Sequence, residues 1–487
     1  MQRLTVCLLA VLFCLPAAFA ANALEQLRVG PKPVFREGHT LIPLTTWGPE
    51  FSLEIRRELC ENWGYALQFG RIRPDMLARL SDPASVEAKV CALAARDPDR
   101  YPLHVTIGPA FSIRAFTDQL PPETWCTDEN GQLPGGQRIY SPEAPDSAFD
   151  MIADYEANML KQVLAIAPIA VITNGGEYGL STVGHHQKYW EKDPKVVAAR
   201  GDRDWFEYIS ERKAHQEMII TERIRELVPD RLTYVYYPTE GCPHRDRYAN
   251  WWQWTWDYAF MRPVSDLPSS SIYWKHYNSG WSGDNDALTQ ALNSTAQHIA
   301  AGDPLSYNWM NPGWPDRGRP NPPMSDAERY MGYLKCYYAA GMIGGVAGYF
   351  AYDSVDNWVW QLMCLGHVHA LFSHLEEFVR ESELLPGPNR HVWSKDLPAY
   401  ELPTGSERAR VLARRHRDRP EWLLVAWAAD GPARTVSVDV PELGSVSLRA
   451  RPSGSVYLAR GVGDAMRLVL VDRDGMLPTA RMGGFSD

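Results

Sequence analysis

The run from Ala170 to Gly179, Ala-Val-Ile-Thr-Asn-Gly-Gly-Glu-Tyr-Gly, is an apolar, β-branched stretch that breaks into a glycine-rich turn carrying one carboxylate, Glu177. A carboxylic acid fixed at the end of a rigid strand can have its pKa raised and can donate a proton to a leaving oxygen. A lone Glu in a turn reads equally well as a solvated acid or a helix start, so its chemistry depends on its neighbours. Three further acids follow aromatic or turn segments: Glu240 in Thr-Glu-Gly, Asp316 beside Arg317, and Asp353 after Tyr352. Asp353 also reads as an N-cap for a helix starting near Asp356. Asp316 reads as a solvated ion pair.

Those acids need elements to hold them. Segments with the length and β-rich make-up of strands are Leu41–Trp47, Tyr65–Gly70, Leu103–Ala110, Ala170–Thr173, Leu232–Pro238, Ser271–Tyr277, Leu305–Trp309 and Val346–Asp353. Helical patterns lie between them, among them Glu54–Trp63, Ala84–Ala95, Ser147–Ala165, Trp205–Leu227, Ala287–Ala301, Asp326–Ala340 and Trp358–Val379. About eight strand–helix units in alternation are what a (β/α)8 TIM barrel requires, and such a barrel collects its working residues at the carboxyl ends of its strands. The competitor, an open doubly wound sheet, usually has a glycine-rich phosphate turn after its first strand. Trp47-Gly-Pro-Glu-Phe is no such turn.

After Leu385-Pro-Gly-Pro-Asn the texture changes. Short alternating runs follow at hairpin spacing: Ala409–Arg415, Trp422–Trp427, Thr435–Val440, Ser447–Ala450, Ser455–Ala459 and Met466–Val471. The expected organisation is a barrel over 21–385, a small antiparallel β-sandwich over 386–475 and a loose tail over 476–487.

The expected strand ends are crowded with aromatic and amide side chains. They offer Trp47; Asn174, Glu177 and Tyr178; Glu240; Lys275, His276 and Trp281; Asn308, Trp309 and Trp314; and Tyr352 with Asp353. The chain holds 18 Trp and 23 Tyr, and many fall where loops are expected. Flat rings suit the C–H faces of sugars, while Asn, His and Lys can bind hydroxyls or anionic substituents. A single Trp at a strand end is ordinarily core; five near one face, Trp47, Trp274, Trp281, Trp309 and Trp314, point to a carbohydrate surface.

Composition narrows the field. Met-Gln-Arg followed by an apolar run to Phe19 and an Ala18-Phe-Ala20 site reads as a cleavable signal peptide over 1–20, implying a secreted or periplasmic protein. No later stretch is long and apolar enough to span a bilayer. The formal net charge of −10 shows no basic face for nucleic acid. Beyond the leader the cysteines Cys60, Cys91, Cys126, Cys242, Cys336 and Cys364 form no CxxC pair, so no zinc or redox motif is present. One or two disulfides are open, though several thiols fall in helical patterns and are expected to be buried and reduced. Adjacent His185 and His186 lack a spaced third ligand. No metal and no cofactor are expected.

Taken together, the leader, the barrel pattern, Asn174-Gly-Gly-Glu177 after strand four and the terminal sandwich resemble secreted (β/α)8 glycoside hydrolases. The resemblance is to the large retaining superfamily that includes β-galactosidases, agarases and related polysaccharide-degrading enzymes. It covers the layout of most of the chain and one short motif. It implies that Glu177 is the acid/base, that Asn174 contacts a sugar hydroxyl, and that the substrate is a plant or algal oligo- or polysaccharide. The sequence departs from the pattern in two ways: two glycines separate Asn174 from Glu177, and no Glu ends strand seven, where the family has its nucleophile. Glu240 first and Asp353 second are the candidates for the second carboxylate that glycoside hydrolysis uses. A non-catalytic carbohydrate-binding protein and a polysaccharide lyase with a Tyr/His or Lys base are the alternatives.

Overall fold

The computed structural model describes residues 23–47, 50–109, 116–175, 180, 183–228, 233–237, 260, 262–274, 299, 302, 304–312, 326–348, 355–388, 400–428 and 431–471. Eight parallel strands come first: β1 Thr45–Trp47, β2 Leu67–Arg71, β3 Leu103–Ile107, β4 Ile169–Gly175, β5 Thr233–Tyr237, β6 Ser271–Trp274, β7 Ser306–Pro312 and β8 Met342–Gly348. They form two four-stranded sheets, in the orders β2-β3-β4-β5 and β1-β8-β7-β6. A parallel bridge between Leu44 and Tyr65 joins β1 to β2. Among the described residues no ladder joins β5 to β6. The two sheets face one another across a shared apolar cluster of Val171 from β4, Tyr307 and Trp309 from β7 and Val346 from β8.

The connecting helices are α1 Leu53–Asn62, α2 Val86–Arg96, α3 Asp146–Leu164, α4 Trp205–Arg225, α5 Asp326–Ala340 and α6 Val355–Ser373. Several start on a side chain that satisfies a first-turn N–H, as helix ends require. Ser52 accepts from Ile55 N, Ser85 from Ala88 N, and Asp204 from Phe206 N and Glu207 N. Leu67, Phe69, Leu103, Val105, Ile107 and Ile172 turn outward and pack beneath α2, α3 and α4. Met310, Met342, Ile343 and Ala347 do the same beneath α5 and α6.

β8 begins earlier than its composition suggests, at Met342. Three glycines inside it, Gly344, Gly345 and Gly348, weaken the pattern of a strand. They are there for space. A Cβ on Gly344 would lie 2.5 Å from Tyr307 Cε2 and 2.6 Å from Ile42 O, so the inner ring of Tyr307 lies against bare backbone.

The C-terminal sheet runs β15-β14-β11-β10-β9, from β9 Ser382–Leu384, β10 Ala409–His416, β11 Glu421–Ala428, β14 Ser455–Arg460 and β15 Arg467–Leu470. Its first strand, β9, lies ahead of the expected boundary at 385. A hairpin of β12 Arg434–Val440 and β13 Gly444–Ala450 covers one face, with Leu424, Val436, Val438 and Leu448 between them. This is the expected antiparallel sandwich. The opposite face, with Leu412, Leu423, Val425 and Trp427, joins the core beneath α5 and α6.

One side chain ties those layers together. Arg414 of β10 is buried and donates from Nε to Tyr338 O at 2.7 Å and from Nη2 to Ala339 O at 3.2 Å, capping the last carbonyls of α5. Tyr338 answers by donating its hydroxyl to Leu412 O and Leu423 O.

Among the described residues Cys60, Cys91, Cys126, Cys336 and Cys364 form no disulfide, and all but Cys60 are buried. Burial pushes the Cys91 and Cys60 thiols up to about 12. No described helix is long and apolar enough to cross a membrane.

Candidate functional site

In a parallel sheet every carboxyl end lies at the same edge, and alternation decides which side chains face inward there. On β7 the inward residues are Tyr307 and Trp309. Tyr307 donates its hydroxyl to Pro43 O at 2.7 Å and lies 3.2 Å from Thr45 Oγ1, which fixes β7 against β1. One step further along, Trp47 of β1 meets Trp309 edge-to-face, with centroids 5.6 Å apart. Trp47 is half-buried and Trp309 buried. Two of the rings expected at the aromatic face therefore touch.

On β3 and β4 the inward residues other than Val171 are polar. His104 Nε2 lies 2.9 Å from Thr173 Oγ1, and Thr106 Oγ1 lies 3.0 Å from the same atom. Burial pulls the His104 pKa down to about 3, so its ring is neutral. Its Nδ1, Gln68 Oε1 on β2 and both amide atoms of Asn311 on β7 have no hydrogen-bond partner among the described residues. Buried polar atoms without partners are rare, and each calls for an explanation.

The remaining described site residues face the other way. Asn174 lies two residues past Ile172, which packs outward, and its amide donates to Glu217 Oε2 of α4 at 3.4 Å. Glu217 pairs with Lys213 at 2.5 Å, both nearly inaccessible. Burial lowers the Lys213 pKa against the pull of the Glu217 carboxylate. Asn308 accepts at Oδ1 from Ser270 N at 2.8 Å and lies 3.1 Å from Ser270 Oγ, and its Nδ2 donates to Ser306 Oγ at 2.7 Å. It stitches the β6 side to β7. Asn174 and Asn308 were expected as sugar contacts; both are instead fully buried on the helix side, with their amides engaged by protein.

The expected catalytic acids Glu177, Glu240 and Asp353 lie outside the described residues, as do Tyr178, Lys275, His276, Trp281, Trp314 and Tyr352. The last described residue of β4, Gly175, stands two positions before Glu177.

Sequence reading stopped strand seven at Trp309 and so missed Asn311. The signal was available: Tyr307, Trp309 and Asn311 follow the two-residue period of one strand face, and only Pro312 breaks it. His104, in the third strand, carries no local motif.

One cluster has the composition of a metal site, Glu377, Glu381 and His416. His416 Nδ1 accepts from Asp418 N at 3.1 Å, and its Nε2 lies 3.3 Å from Glu381. Arg419 also lies 2.6 Å from Glu377. With one ring nitrogen taken by a backbone N–H and a guanidinium beside the carboxylates, this is a cluster of opposed charges.

No protein-family model matches the chain, and no curated protein matches it by sequence. Solved structures to which it is similar include glycoside hydrolases. An exo-carrageenase of family 42 from Bacteroides ovatus is 9% identical, with 91% of this chain and 85% of that one covered at a TM-score of 0.41. A family 36 α-galactosidase from Geobacillus stearothermophilus is 12% identical, with 93% and 59% covered at 0.40. An α-L-fucosidase from Paenibacillus thiaminolyticus is 14% identical, with 74% and 51% covered at 0.39. The chain thus spans about half the length of the fucosidase and three fifths of that of the α-galactosidase.

Proposed function

We propose that the chain is a secreted or periplasmic glycoside hydrolase on a (β/α)8 barrel, cleaving O-glycosidic bonds in a plant or algal oligo- or polysaccharide. The observation that carries this reading is the strand order. Eight parallel strands run in chain sequence through two sheets bridged at Leu44 and Tyr65, and both sheets enclose one cluster. Their carboxyl ends share an edge. The aromatic pair Trp47–Trp309 stands at that edge, and in sequence Glu177 comes two positions after Gly175, the last residue of β4.

In this mechanism Glu177 gives its proton to the glycosidic oxygen as the bond to the anomeric carbon breaks. Glu240, or in second place Asp353, meets the developing positive charge. A partner carboxyl about 5–5.5 Å from Glu177 attacks the carbon directly and retains configuration; a gap of about 6.5–9.5 Å admits a water and inverts it. Glu177 then takes a proton from the incoming water in the retaining case.

The test is Glu177→Gln, assayed for reducing-end release on a panel of 4-nitrophenyl glycosides and algal and plant polysaccharides. The variant should keep the parent Tm and lose on the order of 10²–10⁴ in turnover. A variant as active as its parent removes Glu177 from the mechanism.

A further inference from the structure

β7 runs to Pro312, and alternation sets Asn311 on the inward side with Tyr307 and Trp309, at the carboxyl end of the strand. Gly348 of β8 lies alongside. A Cβ built on Gly348 would stand 3.2 Å from Asn311 Cβ and 3.6 Å from its Cγ, so the absence of a side chain there leaves Asn311 its space. Gly348 pairs in turn with Trp47 of β1, whose ring meets Trp309. Three neighbouring strands therefore bring two indoles and one amide to the same stretch of the inner edge.

Asn311 is fully buried, yet neither its amide oxygen nor its amide nitrogen has a hydrogen-bond partner among the described residues. Asn308 shows what a structural amide in this protein does: its oxygen accepts from Ser270 N and its nitrogen donates to Ser306 Oγ. An amide with both ends unmet costs stability that a leucine of similar volume would not. A chain under selection for stability alone has no use for it.

We infer that Asn311 is a hydroxyl-binding residue of the carbohydrate site, its amide donating to one hydroxyl of a neutral sugar unit and accepting from the adjacent one. The chemistry selects the ligand class. A donor and an acceptor side by side match a vicinal diol, in which each hydroxyl can play either part. A sulfate or carboxylate offers acceptors only and would set its charge against Oδ1. The Trp47–Trp309 pair supplies the adjoining apolar wall. This deepens the carbohydrate reading above and rests on it.

The test compares the full-length protein with Asn311→Leu and Asn311→Ser by thermal unfolding, with and without galactose, glucose or xylose, and with sulfate, which has acceptors and no diol, as the anionic control. Sugars and sulfate also stabilise proteins generally by exclusion from the surface, and that effect cancels between parent and variant. For at least one neutral sugar the parent Tm should rise about 2 °C or more beyond either variant's rise, with no such difference for sulfate. Without sugar, Asn311→Leu should match or exceed the parent Tm. Equal sugar shifts in all three proteins overturn the inference, and so does a sugar-free Tm that falls in both variants, which would make the amide structural. A selective shift together with a parent that releases no reducing ends from any substrate of the panel sinks the hydrolase reading alone. Equal shifts with an inactive Glu177→Gln sink only the role of Asn311.

Discussion

Asn174 Nδ2 donates to Glu217 Oε2 at 3.4 Å behind β4, and Glu217 pairs with Lys213 one helical turn away at 2.5 Å. Strand β4, which ends two positions before Glu177 in the sequence, is thus fastened to α4 through a buried charge pair. Removing one member of such a pair strands the other charge, whereas replacing both with apolar groups is close to neutral. Lys213→Met should therefore lower the urea-unfolding free energy by about 3 kcal/mol, and adding Glu217→Leu should recover more than half of that loss. A double variant no more stable than Lys213→Met would contradict the pairing.

Acid should weaken the fold through its buried imidazoles. His104 and His369 both have pKa values lowered from 6.5 to about 3, chiefly by burial. The unfolded chain takes up a proton on each below pH 6.5 while the folded chain does not, so stability falls as pH drops toward 3 and is unaffected above 6.5. Each group contributes a slope of about 1.4 kcal/mol per pH unit inside that window. His104→Gln should flatten the acid side of a plot of stability against pH by one such increment; an unchanged slope would count against the shift.

Arg414 supplies a third test. Its two donors cap Tyr338 O and Ala339 O from another layer of the molecule. Arg414→Ala leaves those buried carbonyls unmet and should cost about 3 kcal/mol, read from the urea midpoint. Arg414→Lys, with no planar fork, should restore only part of it. Full restoration by lysine would mean that charge rather than geometry matters there.

Two glycines with similar backbones separate conformational strain from steric clash. Gly341 has φ +59°, and a Cβ there would lie 2.1 Å from Pro304 O; Gly405 has φ +67° with nothing within 4 Å. Gly405→Ala should cost about 1 kcal/mol, from backbone strain alone. Gly341→Ala should cost at least twice that, because backbone must move. Equal Tm losses would refute the crowding at Gly341.

The parts legible in the sequence were those in which local pattern and tertiary role agree. β4 is a β-branched run, and Asp326–Ala340 has helical spacing with its ends where expected. β8 was half-hidden because its glycines answer to Tyr307 and Ile42, which are remote in sequence. Asn174 and Asn308 have the right chemistry for sugar, but chemistry does not reveal facing. A fully buried strand is apolar on both sides, so alternation gives no cue until a neighbour such as Glu217 or Ser270 is known. Asn311 was lost to a strand end placed at Trp309, three residues before Pro312.

The sheet holding β10 and β11 is covered twice, by the β12–β13 hairpin on one side and by α5 and α6 on the other. It is therefore a shared wall and not an appendage on a tether. A version cut before Ser382 would present Leu412's former seat, a broad oily surface, to water, and the severed piece would carry the matching one. Neither half should remain dispersed alone, and co-expression of the two should rescue both.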